Sequence, residues 1–223
     1  IGGLGSNRCG SPAGVSTTAI LGKTFDVIDK VYGCNCESSG NILAKDAGSR
    51  IIFPSYSKKN RNEKIRISEQ ELRFIFVEQL NKYCDNTVDF EAFYSVETPT
   101  EEKYDFSDKS NPHKVTPDGD KKGQSAMVDL TIHSASGERL CLMEFKSLNP
   151  LPFAYKKDIA KLNAETSSGI LVQILKSADD RTIKNIQTKI QGLEETRYVC
   201  HCMNTKKTYY KNLSTPLEGW ETI

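Results

Sequence analysis

The chain has 223 residues, 37% hydrophobic and 26% charged, with a formal net charge of +1. That length holds one sizeable α/β domain, or one domain with an appendage. The near-neutral balance excludes a global field that would gather nucleic acid, so any basic surface has to be local. No apolar run approaches the ~18–20 residues of a membrane span.

Seven cysteines form no regular disulfide framework. Thiols in a reducing, cytoplasmic setting are the expectation. Cys34-Asn-Cys36 and Cys200-His-Cys202 suit either zinc or plain thiols. Thiols lead, because structural zinc favours wider spacing within each pair.

Residues 1–66 read as a loop-rich N-terminal arm, Gly-, Ser- and Asn-rich over its first 50 residues. A modest apolar stretch suits a short helix or strand around Phe25–Val31. The arm ends in a basic run holding Lys58, Lys59, Arg61, Lys64 and Arg66 against one acid, Glu63. Such a run suits phosphate contacts, which position a duplex without reading its sequence, and equally a solvated linker.

The main domain, 67–223, opens on a helix. Ser68 can cap, Glu71 lies three residues later, and Ile67 with Leu72 can form the hydrophobic staple. Leu72, Ile75, Phe76, Leu80 and Tyr83 continue at helical spacing. Val88–Val96 alternates and predicts the first strand, with Val88, Phe90, Ala92, Tyr94 and Val96 as its inward set. The polar stretch from Glu97 to Gln124 reads as a long connection, functional or mobile. Pro117-Asp118 within it is turn chemistry.

Two strands joined by a tight turn follow, from Met127 to Lys146. Val128, Leu130 and Ile132 alternate with Asp129, Thr131 and His133; Cys141, Met143 and Phe145 alternate with Leu142, Glu144 and Lys146. A two-residue loop at Ser136-Gly137 pairs Ile132 with Cys141, Leu130 with Met143, and Asp129 with Glu144. Two carboxylates and an ammonium then share one side of the hairpin. Adjacent carboxylates repel unless a cation lies between them, and hard oxygen donors suit Mg²⁺ or Mn²⁺. The plainer alternative is a surface hairpin with ordinary charges on its outer face.

An Asp in one strand followed by Glu-x-Lys in the next resembles the PD-(D/E)xK nuclease superfamily. The resemblance covers roughly residues 68–176, in the order helix, strand, strand, strand, helix, strand. Met-Val-Asp stands where the family name has Pro-Asp. The resemblance implies an α/β fold, with a mixed central sheet flanked by helices and a restriction-endonuclease-like αβββαβ core. It implies a divalent-metal-dependent nuclease, endonucleolytic and acting on DNA in preference to RNA. Restriction, defence or DNA processing would be its setting, and a homodimer its state in many relatives. Asp129, Glu144 and the Phe145 carbonyl would hold the metal, and Lys146 would orient the attacking water and stabilise charge on the phosphate. Glu71 would complete the site, a role that competes with capping. The alternative on the same fold is an inactive module that binds nucleic acid or a protein.

Pro150 and Pro152 close the second strand of the hairpin. Ala154–Glu165 then reads as a helix packed through Tyr155, Ile159 and Leu162. Lys157 and Lys161 lie off that stripe, as phosphate contacts or a solvated face. Gly169–Leu175 is an apolar run suited to a strand buried on both faces. A helix from Asp179 and a hairpin around Asn204–Lys207 follow, and Trp220 would anchor the tail.

Overall fold

The computed structural model of the protein describes residues 17–37, 47–56, 64–87, 91–116, 123–194 and 196–210. The fold is α/β: a seven-stranded mixed sheet flanked by helices. Its order is β4 (His113–Lys114), β3 (Ala92–Asp105), β5 (Gln124–Ser134), β6 (Arg139–Ser147), β7 (Ser168–Leu175), β8 (Arg197–Cys202), β9 (Lys207–Tyr210). The first four pair antiparallel, β6 through β8 run parallel, and β9 returns antiparallel. A separate ribbon joins β1 (Ser55–Tyr56) to β2 (Lys64–Ile65). No helix among the described residues is long and apolar enough to cross a membrane.

Helices cover both faces of the sheet. On one lie α1 (Thr17–Glu37) and α2 (Glu69–Asn86), whose Ile20, Phe25, Ile28, Leu72, Ile75 and Phe76 pack with Leu130, Met143, Phe145 and Val172. On the other lie α3 (Pro152–Ala164) and α4 (Asp180–Lys189), whose Tyr155, Ile159, Leu162 and Ile186 pack with Leu142, Leu171 and Tyr198. The stretch read as an arm thus contributes α1, which packs into the core with α2 and the sheet. The reason is α1's apolar stripe, whose burial is worth about 1.5–3 kcal/mol per large side chain. His201 of β8 ties α1 down further, stacking on Phe25 at 4.7 Å and meeting Asp29 at 2.9 Å.

Three expectations change. The β5–β6 loop has three residues, not two. Ser134 accepts from the Gly137 amide while its own amide donates to Glu138, and Gly137 takes the left-handed φ of +84°. A bulge between Ile132 and His133 absorbs the extra residue. This is the familiar turn-plus-left-handed-glycine loop, and the pairs Ile132–Cys141 and Leu130–Met143 form as expected. Second, residues 97–105 are strand rather than loop, paired with β5 as far as Tyr104–Gln124. Pro99 is tolerated because much of this strand lies on the sheet edge. For the same reason Tyr94 and Val96, expected inward, are exposed. Third, neither hairpin face is open: Glu144 and Lys146 lie beneath α3, not at solvent. Pro117-Asp118, Val88, Phe90 and Trp220 fall outside the described residues.

α3 sits close on β7. A Cβ at Gly169 would lie 3.0 Å from Leu162 Cβ and 3.2 Å from the Leu162 carbonyl. Glycine there lets the helix and its polar face approach the sheet.

Candidate active site

β5 is irregular at Asp129. The β3–β5 ladder runs from Val96–Leu130 to Thr98–Val128, passing over Glu97 and Asp129. Glu97 takes a left-handed φ of +48°. Val128 packs in the α3 layer while Leu130, two residues on, packs in the α1/α2 layer. The strand thus changes face at Asp129. Arg73 of α2 holds the irregular point, donating to Glu97 at 2.7 Å and to the Asp129 carbonyl at 3.3 Å. The Asp129 carboxylate accepts the Phe145 backbone amide at 2.8 Å, replacing a ladder acceptor. Asp129 therefore meets β6 between the two other motif residues.

β6 ends at a second strained residue. Leu148 has φ +56°, fixed by its amide on the Ile174 carbonyl at 2.8 Å and its carbonyl on Gln173. Left-handed non-glycine residues cost of order 1–3 kcal/mol and persist where their surroundings over-determine them. Here they bracket the charged cluster.

Glu144 and Lys146 are only 1% and 7% exposed. α3 supplies their partners: Asp158 and Lys161, 4% and 3% exposed. Lys161 pairs with Glu144, with Asp158 at 2.9 Å, and with the Met127 carbonyl at 2.8 Å. Lys146 pairs with Asp158 and donates to the Phe145 carbonyl at 3.2 Å. The result is an alternating buried chain: Glu144, Lys161, Asp158, Lys146.

Burial holds the Glu144 carboxyl well above its ordinary range; Asp158 and Asp129 add to the rise and Lys161 opposes it. Burial would lower both lysines, but the carboxylates around them outweigh it, so both stay ammonium. Lys146 thus holds its proton and keeps its positive charge.

No protein-family model matches the chain, and no curated protein or solved structure matches it either.

The helix acid nearest the cluster is Glu69. Burial raises its carboxyl; Lys146 lowers it, Asp129 and Asp158 raise it, and the Ser147 amide favours the ionised form. Glu71 instead accepts from the Ser68 hydroxyl, and Ser68 makes no side-chain cap to the helix backbone. Sequence held a signal for Glu69. It lies three residues before Leu72 and seven before Phe76, at the head of the buried stripe. Asp158 held one too, standing between Tyr155 and Leu162 at core spacing.

The basic residues divide. Lys161 is buried in the cluster and not on an open face, because three oxygens, from Glu144, Asp158 and the Met127 carbonyl, compensate the burial of its ammonium. Lys157 lies with its ammonium 5.1 Å from the Phe106 ring. Arg66 is exposed, Lys64 lies on β2, and Lys58, Lys59 and Arg61 fall outside the described residues. Cys200 and Cys202 are buried free thiols facing α3 and α4, on the opposite face from α1, which carries Cys34 and Cys36.

The donor chemistry suits a hard dication. Four acids, Glu69, Asp129, Glu144 and Asp158, face two ammonium groups, an excess of two negative charges when all are ionised. Among the described residues, however, no three His, Cys, Asp or Glu side chains already stand close enough to close on an ion. Lys146 and Lys161 already pair with Glu144 and Asp158.

Proposed function

We propose that the chain is a divalent-metal-dependent nuclease built on a PD-(D/E)xK-like core. The observation that carries this reading is the meeting of Asp129 with β6 between Glu144 and Lys146, in a cluster where four acids face two ammonium groups. The order α2, β3, β5, β6, α3, β7 supports it, with β4 as a two-residue insert. Asp129, Glu144 and the Phe145 carbonyl would hold Mg²⁺ or Mn²⁺, and Glu69 stands nearer than Glu71 as the helix acid. The ion would supply Lewis acidity and an activated water. Lys146, kept as ammonium by Asp158, would face the negative charge that builds on the phosphate. DNA, endonucleolytic cleavage and a homodimer follow from the family resemblance.

The test is incubation of the purified chain with linear, circular and single-stranded DNA and with RNA, in Mg²⁺, Mn²⁺ or EDTA. Lys146→Ala is expected to lower cleavage by roughly 10²–10³ or more while Mn²⁺ still binds; Asp129→Asn is expected to lose Mn²⁺ binding by titration calorimetry. Undiminished cleavage by Lys146→Ala rejects the mechanism.

A second reading is a non-catalytic module that binds nucleic acid or a protein. The lysine pairing of Glu144 and Asp158 favours it. Absence of Mn²⁺ binding at millimolar concentration in the wild type would select it.

A further inference from the structure

The α3 pair presents a problem that folding alone does not explain. Four charged side chains, each more than nine-tenths buried, lie in one chain between β6 and α3. Taking ions out of water costs several kcal/mol each, and hydrophobic replacements of like size are often as stable or more so. Ile159 and Leu162, on the same helix, show that apolar side chains pack in this layer. Lys161 is the best-connected member. It touches acids on two elements, Glu144 of β6 and Asp158 of α3, and also reaches the Met127 carbonyl of β5, two residues before Asp129.

We propose that Lys161 is a resident counter-ion, an internal ammonium that neutralises Glu144 in the metal-free protein and must yield that carboxylate when a divalent cation binds. The inference rests on the metal-site reading above and names what regulates that site. Lys161 allows the protein to fold with its acids buried and no metal present. It also opposes metal uptake, because a unit positive charge within a few Å of the ion repels it and already holds a donor oxygen. Asp158 is the second acceptor to which the ammonium stays bound once Glu144 is released. Lys146 has no such freedom at Glu144, since its partners are Asp158 and the Phe145 carbonyl.

Removing the charge at constant bulk isolates the effect. Lys161→Met is expected to bind Mn²⁺ at least about tenfold more tightly than wild type, read by titration calorimetry on the full chain. Lys161→Arg, which restores a cation, is expected to return the affinity toward wild type. In EDTA, Lys161→Met should unfold at lower temperature than wild type, and Mn²⁺ should raise its melting temperature by more than it raises that of wild type. A purely structural lysine predicts a loss that Mn²⁺ does not reverse.

The outcomes separate this inference from the nuclease reading. Binding by both proteins, tighter in Lys161→Met, supports both. Binding by Lys161→Met alone supports the counter-ion and rejects the nuclease, since a lysine then permanently replaces the metal. Binding by wild type, with Lys161→Met no tighter, overturns the counter-ion and leaves the nuclease standing. Binding by neither overturns both. If Lys161→Met does not fold with or without Mn²⁺, amine labelling of the wild type decides. Lys161 should label several-fold faster in Mn²⁺ than in EDTA, and unchanged labelling overturns the proposal.

Discussion

The two faces of the sheet are both covered by helices but bury opposite chemistry. Toward α1 and α2 the sheet presents Leu130, Ile132, Met143, Phe145, Ile170, Val172 and Val199. Toward α3 it presents Glu144, Lys146 and Gln173 among the apolar residues, met by Asp158 and Lys161. The first face gains from every area removed from water. The second gives part of that gain back to desolvation and recovers it only through pairing. Stability should therefore reside in the α1/α2 layer, and specific chemistry in the α3 layer.

The sharpest way to test that division is to damage the apolar face. Phe76 and Phe145 are fully buried and meet with ring centroids 5.8 Å apart. Phe76→Ala should cost about 3–5 kcal/mol, as a large cavity in a layer with no polar compensation. Urea unfolding measures it. A loss below about 1 kcal/mol would mean that α2 packs loosely, and the contrast between the faces would fail.

A smaller effect is expected on the polar face. Gln173 has no exposed surface and joins three elements, accepting from Tyr198 at 2.6 Å and donating to Tyr155 at 2.7 Å and to the Leu148 carbonyl. Gln173→Leu keeps the bulk but strands these partners, at about 1–3 kcal/mol. It also frees Leu148 from one of the two bonds that fix its left-handed backbone just past Lys146. Cleavage, where present, should fall further than stability alone explains. If cleavage follows stability, the end of β6 is positioned by packing and not by this amide.

Much of the α1/α2 face was legible in sequence. Strict alternation set the register of Leu130 with Met143, and helical spacing set the α2 stripe. Local signals of that kind need no partner to be read. The hairpin loop was missed by one residue because Ser136-Gly137 fits both a two-residue loop and a three-residue loop with glycine last. Residues 97–105 were hidden because their outward side chains are charged and Pro99 interrupts the pattern. The α3 partners were hidden for a different reason. The core spacing of Asp158 marks its burial but not its partner; with Lys161 it looks like an ordinary helix pair, and only the chain's path over β6 brings them onto Glu144. Glu69 was displaced by the stronger local logic of Ser68 and Glu71, which form a pair of their own.

The gentlest probe of the comparison is pH. Glu144 on the polar face, and Glu69 of α2 beside the same cluster, hold their protons more tightly when folded than as free carboxyls, which ionise near ~4.3. The folded state then binds more protons than the unfolded state, so unfolding free energy falls as pH rises. Their contribution is fully present below about pH 4.3 and is lost as pH climbs through the raised folded values. Lys146 and Lys161 are raised as well, so their contribution persists to beyond about pH 10.4 and does not bend the curve near neutrality. Asp108 and Asp179, held low by hydrogen bonds to Ser110 and Thr182, act only in acid, where their contribution is lost as pH falls. From about pH 5 to 8 the buried carboxyls should therefore set the slope. Unfolding midpoints in EDTA should decline across that window in wild type and decline less in Glu144→Gln. Saturating Mn²⁺ should flatten the wild-type slope, because a bound dication favours the ionised carboxylate. A wild-type slope that neither Glu144→Gln nor Mn²⁺ changes would mean that Lys161 neutralises Glu144 completely across this range, and that the polar face is as insensitive to pH as the apolar one.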